Sequence, residues 1–220
     1  MSARMPNVLV SGFAPFGGDA ANPSQLIAQA LDGSVVAGHR VIAATLPTEF
    51  ARAPALLEAL IERHRPVLVL AMGLAGGSSV IALERVAINL IDARIADNAG
   101  AQPIDVAVVD NAPNAYFSTL PIKAMLLRLR QAGIAAAISH SAGTFVCNQV
   151  FYGLAHLLAT RHAGMRGGFM HVPWLPEQAA QHEAGAPSMP LQSMVEGARL
   201  CLETALVTPT DLHVAAGTLA

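Results

Sequence analysis

The chain has 220 residues, 53% of them hydrophobic and 13% charged, with a formal net charge of −2. That length and composition fit one well-packed domain over residues 1–220 and exclude a disordered chain. Neither sign of charge gathers into runs, so no nucleic-acid or membrane partner is expected.

The apolar run before Ser11 is three residues, too short for a signal-peptide core. The later stretch "PVLVLAMGLAGG" falls short of the roughly 20 residues that a membrane span needs. The two cysteines, Cys147 and Cys201, make no disulfide framework. A reducing, cytoplasmic setting is the expectation.

Taken in chain order, "NVLVS" (7–11) reads as the first strand. Asn22 and Pro23 then open a helix at "SQLIAQAL", Asn as N-cap and Pro at the first helical position. The strand "RVIAATL" (40–46) leads to a helix that starts at Pro54, and "PVLVLAM" (66–72) follows as a strand. "ERVAIN" (84–89) reads as another. Residues 97–118 carry no helical period and predict a long loop or hairpin over a site or an interface. Pro121 opens the next helix, and Gly133 ends it. "IAAAIS" (134–139), a helix headed by Cys147, and "GFMHV" (168–172) complete the alternation before a last helix at about 190–206. The tail "HVAAGTLA" has no anchor in the sequence and is expected to fray. Apolar strands alternating with helices predict an α/β fold, a sandwich around a largely parallel, mixed and twisted sheet.

In such a sheet, ligands bind beyond the carboxyl ends of the strands. Four Gly-, Asn- or Pro-rich loops are expected to cluster there: "GFAPFGGDAANP", "GLAGGSS", "SAGTFVCN" and "HVPWLPEQ". They bring Cys147 and His171 to one end. A thiol at a helix N-terminus sees a potential that favours its anion. A cysteine hydrolase adds an imidazole to share the proton and a third group to fix the imidazole's tautomer. His171, at a strand end, supplies the imidazole. Glu84 is the candidate third group, because a strand over 84–89 puts it on one face with Val86, Ile88 and Leu90, where a buried acid requires a partner.

Cys201, in "EGARLCLETAL", has core spacing and reads as a packed, unreactive thiol. Among the eight histidines, His39, His64, His162, His182 and His213 read as surface or turn residues. None makes a metal-ligand pattern, and no metal or organic cofactor is implied. "GFAPFGG" lacks the features of a phosphate loop, and Phe13 and Phe16 suggest an apolar wall instead. The absence of C-x-x-C argues against a redox protein.

As a set, "GFAPFGG…NPS", "GLAGG…ERVAINLIDARIADNAG", "AYFSTLPIKAM", "SAGTFVCN" and "GGFMHVPWLPEQ" resemble the pyroglutamyl-peptidase I family of cytoplasmic cysteine peptidases, in the same order over residues 7–178. The resemblance implies a three-layer α/β/α fold, removal of N-terminal pyroglutamate from peptides, no cofactor, and often a homotetramer. It places the nucleophile on Cys147, the base on His171 and the orienting carboxylate on Glu84. It places the substrate pocket on Phe13 and Phe16, with Asn22 nearby, Phe145 and Val146 beside the nucleophile, and Leu74 and Arg94 close to the centre. Leu74 stands where many members carry Gln. A non-catalytic protein that keeps the pocket is the competing reading, separated from an enzyme by turnover of a pyroglutamyl amide.

Overall fold

The computed structural model describes residues 5–182 and 185–217. Its elements are β1 (Asn7–Phe13), α1 (Pro23–Leu31), β2 (Val35–Val36), β3 (His39–Leu46), α2 (Ala53–His64), β4 (Leu68–Leu74), β5 (Ile81–Glu84), β6 (Val86–Ile88), β7 (Ala115–Phe117), α3 (Ile122–Gln131), β8 (Ala136–Ser139), α4 (Val146–Thr160), β9 (Arg166–Val172), α5 (Pro176–His182) and α6 (Leu191–Val207). Seven strands form one sheet in the order β2-β3-β1-β4-β9-β5-β8, and β6 pairs with β7 in a separate ribbon. Strands β3, β1, β4 and β9 are mutually parallel. β5 runs antiparallel to β9 and parallel to β8, so the sheet is mixed.

The apolar strands are continuous because both faces of the sheet are covered. One face packs Ile27, Leu31, Met125, Leu129, Met194 and Cys201 from α1, α3 and α6. The other packs Leu57, Ile61, Val146, Val150 and Leu154 from α2 and α4. The helices begin for the anticipated reasons. Asn22 accepts the Ser24 N–H at 3.1 Å as N-cap of α1, with Pro23 in the first turn. Gly133, at φ 72°, lets the chain turn out of α3, and the Ile134 N–H closes the helix on Leu129 C=O at 3.0 Å. Pro121 is the N-cap of α3 rather than its first residue, and it offers no side-chain cap. Asp211, from the C-terminal segment, does so instead by accepting the N–H groups of Lys123 and Ala124 at 3.0–3.2 Å.

Residues 84–89 are not one strand. The Arg85 N–H donates to Ser139 C=O in the main sheet, while its C=O accepts the Ser118 N–H on the side of β7. The chain changes sheets at that residue. Glu84 therefore ends β5, and Ala87 is the buried residue of β6, with Val86 and Ile88 half-buried. The anticipated row of Glu84, Val86, Ile88 and Leu90 on one face does not form. The segment 97–118 is irregular as anticipated, tied back by the bridge Ile91↔Val106 and ending in β7. The tail is anchored at Ala216, which packs against the core and accepts Arg85 Nη2 at 3.5 Å. Its residues 218–220 lie outside the described set. No helix among the described residues is long and apolar enough to cross a membrane.

Candidate active site

Three of the four anticipated loops leave the carboxyl ends of the parallel strands β1, β4 and β9. The fourth arrives differently. β8 runs against β9, so residues 140–145 double back before α4 begins. Cys147 is the second residue of α4, after the extended Phe145 at the N-cap. The first helical hydrogen bond is from the Gln149 N–H to Phe145 C=O. The N–H groups of Val146, Cys147 and Asn148 thus precede the helical ladder and present a donor-rich end.

Asn148, wholly buried, fixes this helix start. Its Oδ1 accepts the Ile88 N–H at 3.0 Å, and its Nδ2 donates to Ile88 C=O at 2.9 Å and Leu90 C=O at 3.0 Å. The head of α4 is thereby tied to the segment that follows Glu84.

On β9, His171 is level with Gly73 of β4 and Ala82 of β5. Side chains two apart on a strand share a face. Ala82 and Glu84 are such a pair, so Glu84 shares the face of His171. His171 Nδ1 lies 2.8 Å from Glu84 Oε1, and both side chains are buried. On the β4 side, a Cβ at Gly73 would lie 2.7 Å from Cys147 Sγ. The sulfur occupies the space that the glycine leaves. Burial alone would push the His171 pKa down. The Cys147 sulfur and the Glu84 carboxylate outweigh it and raise the value to about 10. His171 is therefore cationic at neutral pH.

A cleft of about 440 Å³ opens over Cys147. Phe13, Phe16, Asn22, Leu74, Arg94 and Phe145 all line it. The Phe145 ring packs on Phe16 at 5.3 Å and on Phe50 at 5.0 Å between centroids. Asn22 has its amide engaged with Ala14 C=O and its carbonyl with Ser24, so it shapes the wall while capping α1. Arg94 is exposed. Val146 is the exception: its side chain is fully buried in the core between α4 and the sheet. A helix side chain one position before Cys147 points about 100° away from it.

The sequence did not single out Phe50, Asn148, Asp97 or Trp174. Asp97 accepts the Phe50 N–H at 2.7 Å and the Ala99 and Ala101 N–H groups at 2.9 Å. Burial would raise its pKa, but these backbone donors hold it below the usual carboxylate range. Asn98 bonds to Pro15 C=O and Thr48 C=O. This turn staples the front wall of the cleft, and "ADN" after "DARI" was its only signal. His182, exposed as anticipated, lies at the cleft rim beside Trp174. The short helix α5 that carries it was not recognised.

A half-buried sulfur at a helix head, an imidazole on its face of the sheet and a carboxylate behind that imidazole are what cysteine-type peptidases use for acyl transfer. The family model for pyroglutamyl peptidase matches residues 6–208, and the chain belongs to that family. It is 52% identical over 216 residues to the pyrrolidone-carboxylate peptidase of Cupriavidus taiwanensis, covering 98% of this chain and 100% of that relative. Its fold matches that of pyroglutamyl peptidase I from Bacillus amyloliquefaciens with a TM-score of 0.93 at 40% identity, over 96% and 99% of the two chains. The pyrrolidone carboxyl peptidase of Thermococcus litoralis matches equally, with a TM-score of 0.93 at 38% identity, over 96% and 100% of the chains.

Proposed function

We propose that this chain hydrolyses the amide bond after an N-terminal pyroglutamyl residue of peptides, with Cys147 as nucleophile, His171 as acid and base, and Glu84 orienting the imidazole. The observation that carries the reading is the buried 2.8 Å contact between His171 and Glu84, beside a sulfur seated over Gly73. In the resting pair, His171 holds the proton. The sulfur attacks the pyroglutamyl carbonyl, and electron density moves onto its oxygen, which the N–H groups at the head of α4 stabilise with the Arg94 guanidinium nearby. Losing one such donor typically costs about 2.7–4 kcal/mol of barrier. His171 passes its proton to the departing amine, and the C–N bond breaks. The neutral imidazole then takes a proton from water, which cleaves the thioester and regenerates the pair.

The substrate ring is neutral and compact, and Phe13, Phe16 and Phe145 offer it apolar faces. An uncyclised N-terminal Glu or Gln would bring an ammonium group into that wall, to be desolvated there. The chain reads as one peptidase domain, 1–220, acting in the cytoplasm as a homotetramer without a cofactor. That assembly rests on the resemblance and is measured by size exclusion with light scattering.

The test of activity is release of a chromogenic amine from a pyroglutamyl amide. Turnover insensitive to chelators and lost in Cys147→Ser is expected. Full activity in that variant would refute the mechanism, and binding without turnover in the wild type would make the chain a binding protein.

A further inference from the structure

One wall of the cleft has no part in the proposed triad or ring pocket. It consists of Trp174, His182 and Asp19. The Trp174 indole stacks on the His182 imidazole, with centroids 4.4 Å apart and planes 12° from parallel. Asp19 Oδ1 holds that imidazole at 3.1 Å. Gln178, one turn earlier on α5, donates to Asp19 Oδ2 at 3.3 Å and to Ala21 C=O at 2.8 Å. The indole rests on backbone alone toward β4, since a Cβ at Gly76 would lie 2.3 Å from its Cζ2 and 2.4 Å from its Cε2. Trp174 C=O accepts the Met189 N–H at 2.9 Å. The ring is held from several sides, which makes it a rigid surface in a cleft.

The sheet order says what this surface faces. Cys147 Sγ lies over Gly73 of β4, with β1 on one side of that strand and β9 on the other. Phe13 and Phe16 belong to β1 and its loop. His171 belongs to β9, and Trp174 to the segment that leaves it. A proton from His171 must reach the departing amine, so the amine side of the scissile bond lies on the β9 flank and the acyl side on the β1 flank. The residue after pyroglutamate leaves toward Trp174.

We infer that Trp174, backed by His182 and Asp19, is a specificity-determining surface for the residue that follows pyroglutamate, favouring peptides with an aromatic second residue. The inference rests on the peptidase activity proposed above. Contact between aromatic rings beyond simple burial corresponds to roughly a two- to tenfold preference.

The experiment compares kcat/KM of the full chain for pyroglutamyl-phenylalanine amide and pyroglutamyl-glycine amide in wild type, Trp174→Ala, Trp174→Phe and Asp19→Asn. The wild type is expected to favour the phenylalanine amide by roughly two- to tenfold. Trp174→Ala brings the ratio close to one, Trp174→Phe restores most of it, and Asp19→Asn falls between. General damage to the fold lowers both rates together and leaves the ratio in place. A wild-type ratio of one, or a ratio unchanged in Trp174→Ala, overturns the inference. Calorimetric affinities of Cys147→Ser for the two amides are expected to favour the phenylalanine amide without turnover. Loss of hydrolysis alone therefore refutes the peptidase reading, whereas a flat affinity ratio refutes this surface.

Discussion

The head of α4 and the middle of α6 each carry a cysteine, and they pack on opposite faces of one sheet. Cys201 is fully enclosed by aliphatic side chains, and burial pushes its thiol up to about 12. Cys147 is half-buried, at a helix start whose first N–H groups lie ahead of the helical ladder, with a cationic imidazole on its face of the sheet. The same functional group is inert in one place and poised for chemistry in the other. What differs is only the local supply of positive charge and the access to the cleft.

That contrast can be broken most directly at the sulfur itself. Cys147→Ser is expected to lower kcat for a pyroglutamyl amide by about 10⁵-fold or more. Cys201→Ser, measured alongside, retains activity. Glu84→Gln comes next, with a loss in kcat on the order of 10⁴-fold because the imidazole loses its anionic partner. A cooperative melt should persist, and its disappearance would mark Glu84 as structural instead. Gly73→Ala tests the seat of the sulfur, since a methyl 2.7 Å from Sγ must displace it. An error near 1 Å in a reacting group costs about a hundredfold, and slower alkylation of Cys147 by iodoacetamide should accompany the loss.

The charge on His171 supplies a subtler test. Its folded pKa, near 10, lies above its ordinary value of 6.5, so its contribution to stability is complete below about pH 6.5 and disappears as pH rises through 10. The melting temperature should fall over that window and fall less in Glu84→Gln. The smallest effect is expected from Cys201→Ala, with activity within about twofold of wild type and a modest loss of stability from the missing sulfur contacts. Rapid alkylation of Cys201 in the native protein would contradict the comparison.

The sequence singled out Cys147, His171 and Glu84 without the geometry that brings them together. Glu84 was singled out on a strand that the chain does not form. Nothing in "LERVA" marks Arg85 as the point where the backbone leaves one sheet for another, because no Gly or Pro is needed there. Periodicity also carries no strand direction, so the reversal of β5 and β8, and the doubled-back loop it requires, was invisible. The aromatics Phe13 and Phe16 were legible through their glycine-rich loop, and Phe145 through the family resemblance. Phe50 was not, since it backs the cleft only by packing on Phe145, far away in the sequence, and Trp174 was passed over within a loop already placed at the site. Val146 shows the limit of adjacency: next to the nucleophile in the chain, it faces the core.

The position of β5 and β8 has a dynamic consequence. β8 is an edge strand, and each of the two has four residues. Short pairings at an edge open more readily than a sheet's centre, so their amides should exchange with solvent ahead of those in β1 and β4. Glu84 terminates one of these strands, and the loop to Cys147 departs from the other. One proposed catalytic group, Glu84, is therefore supplied by the part of the sheet expected to open first. Inactivation on heating would begin as a local opening of that edge, with the central strands still folded.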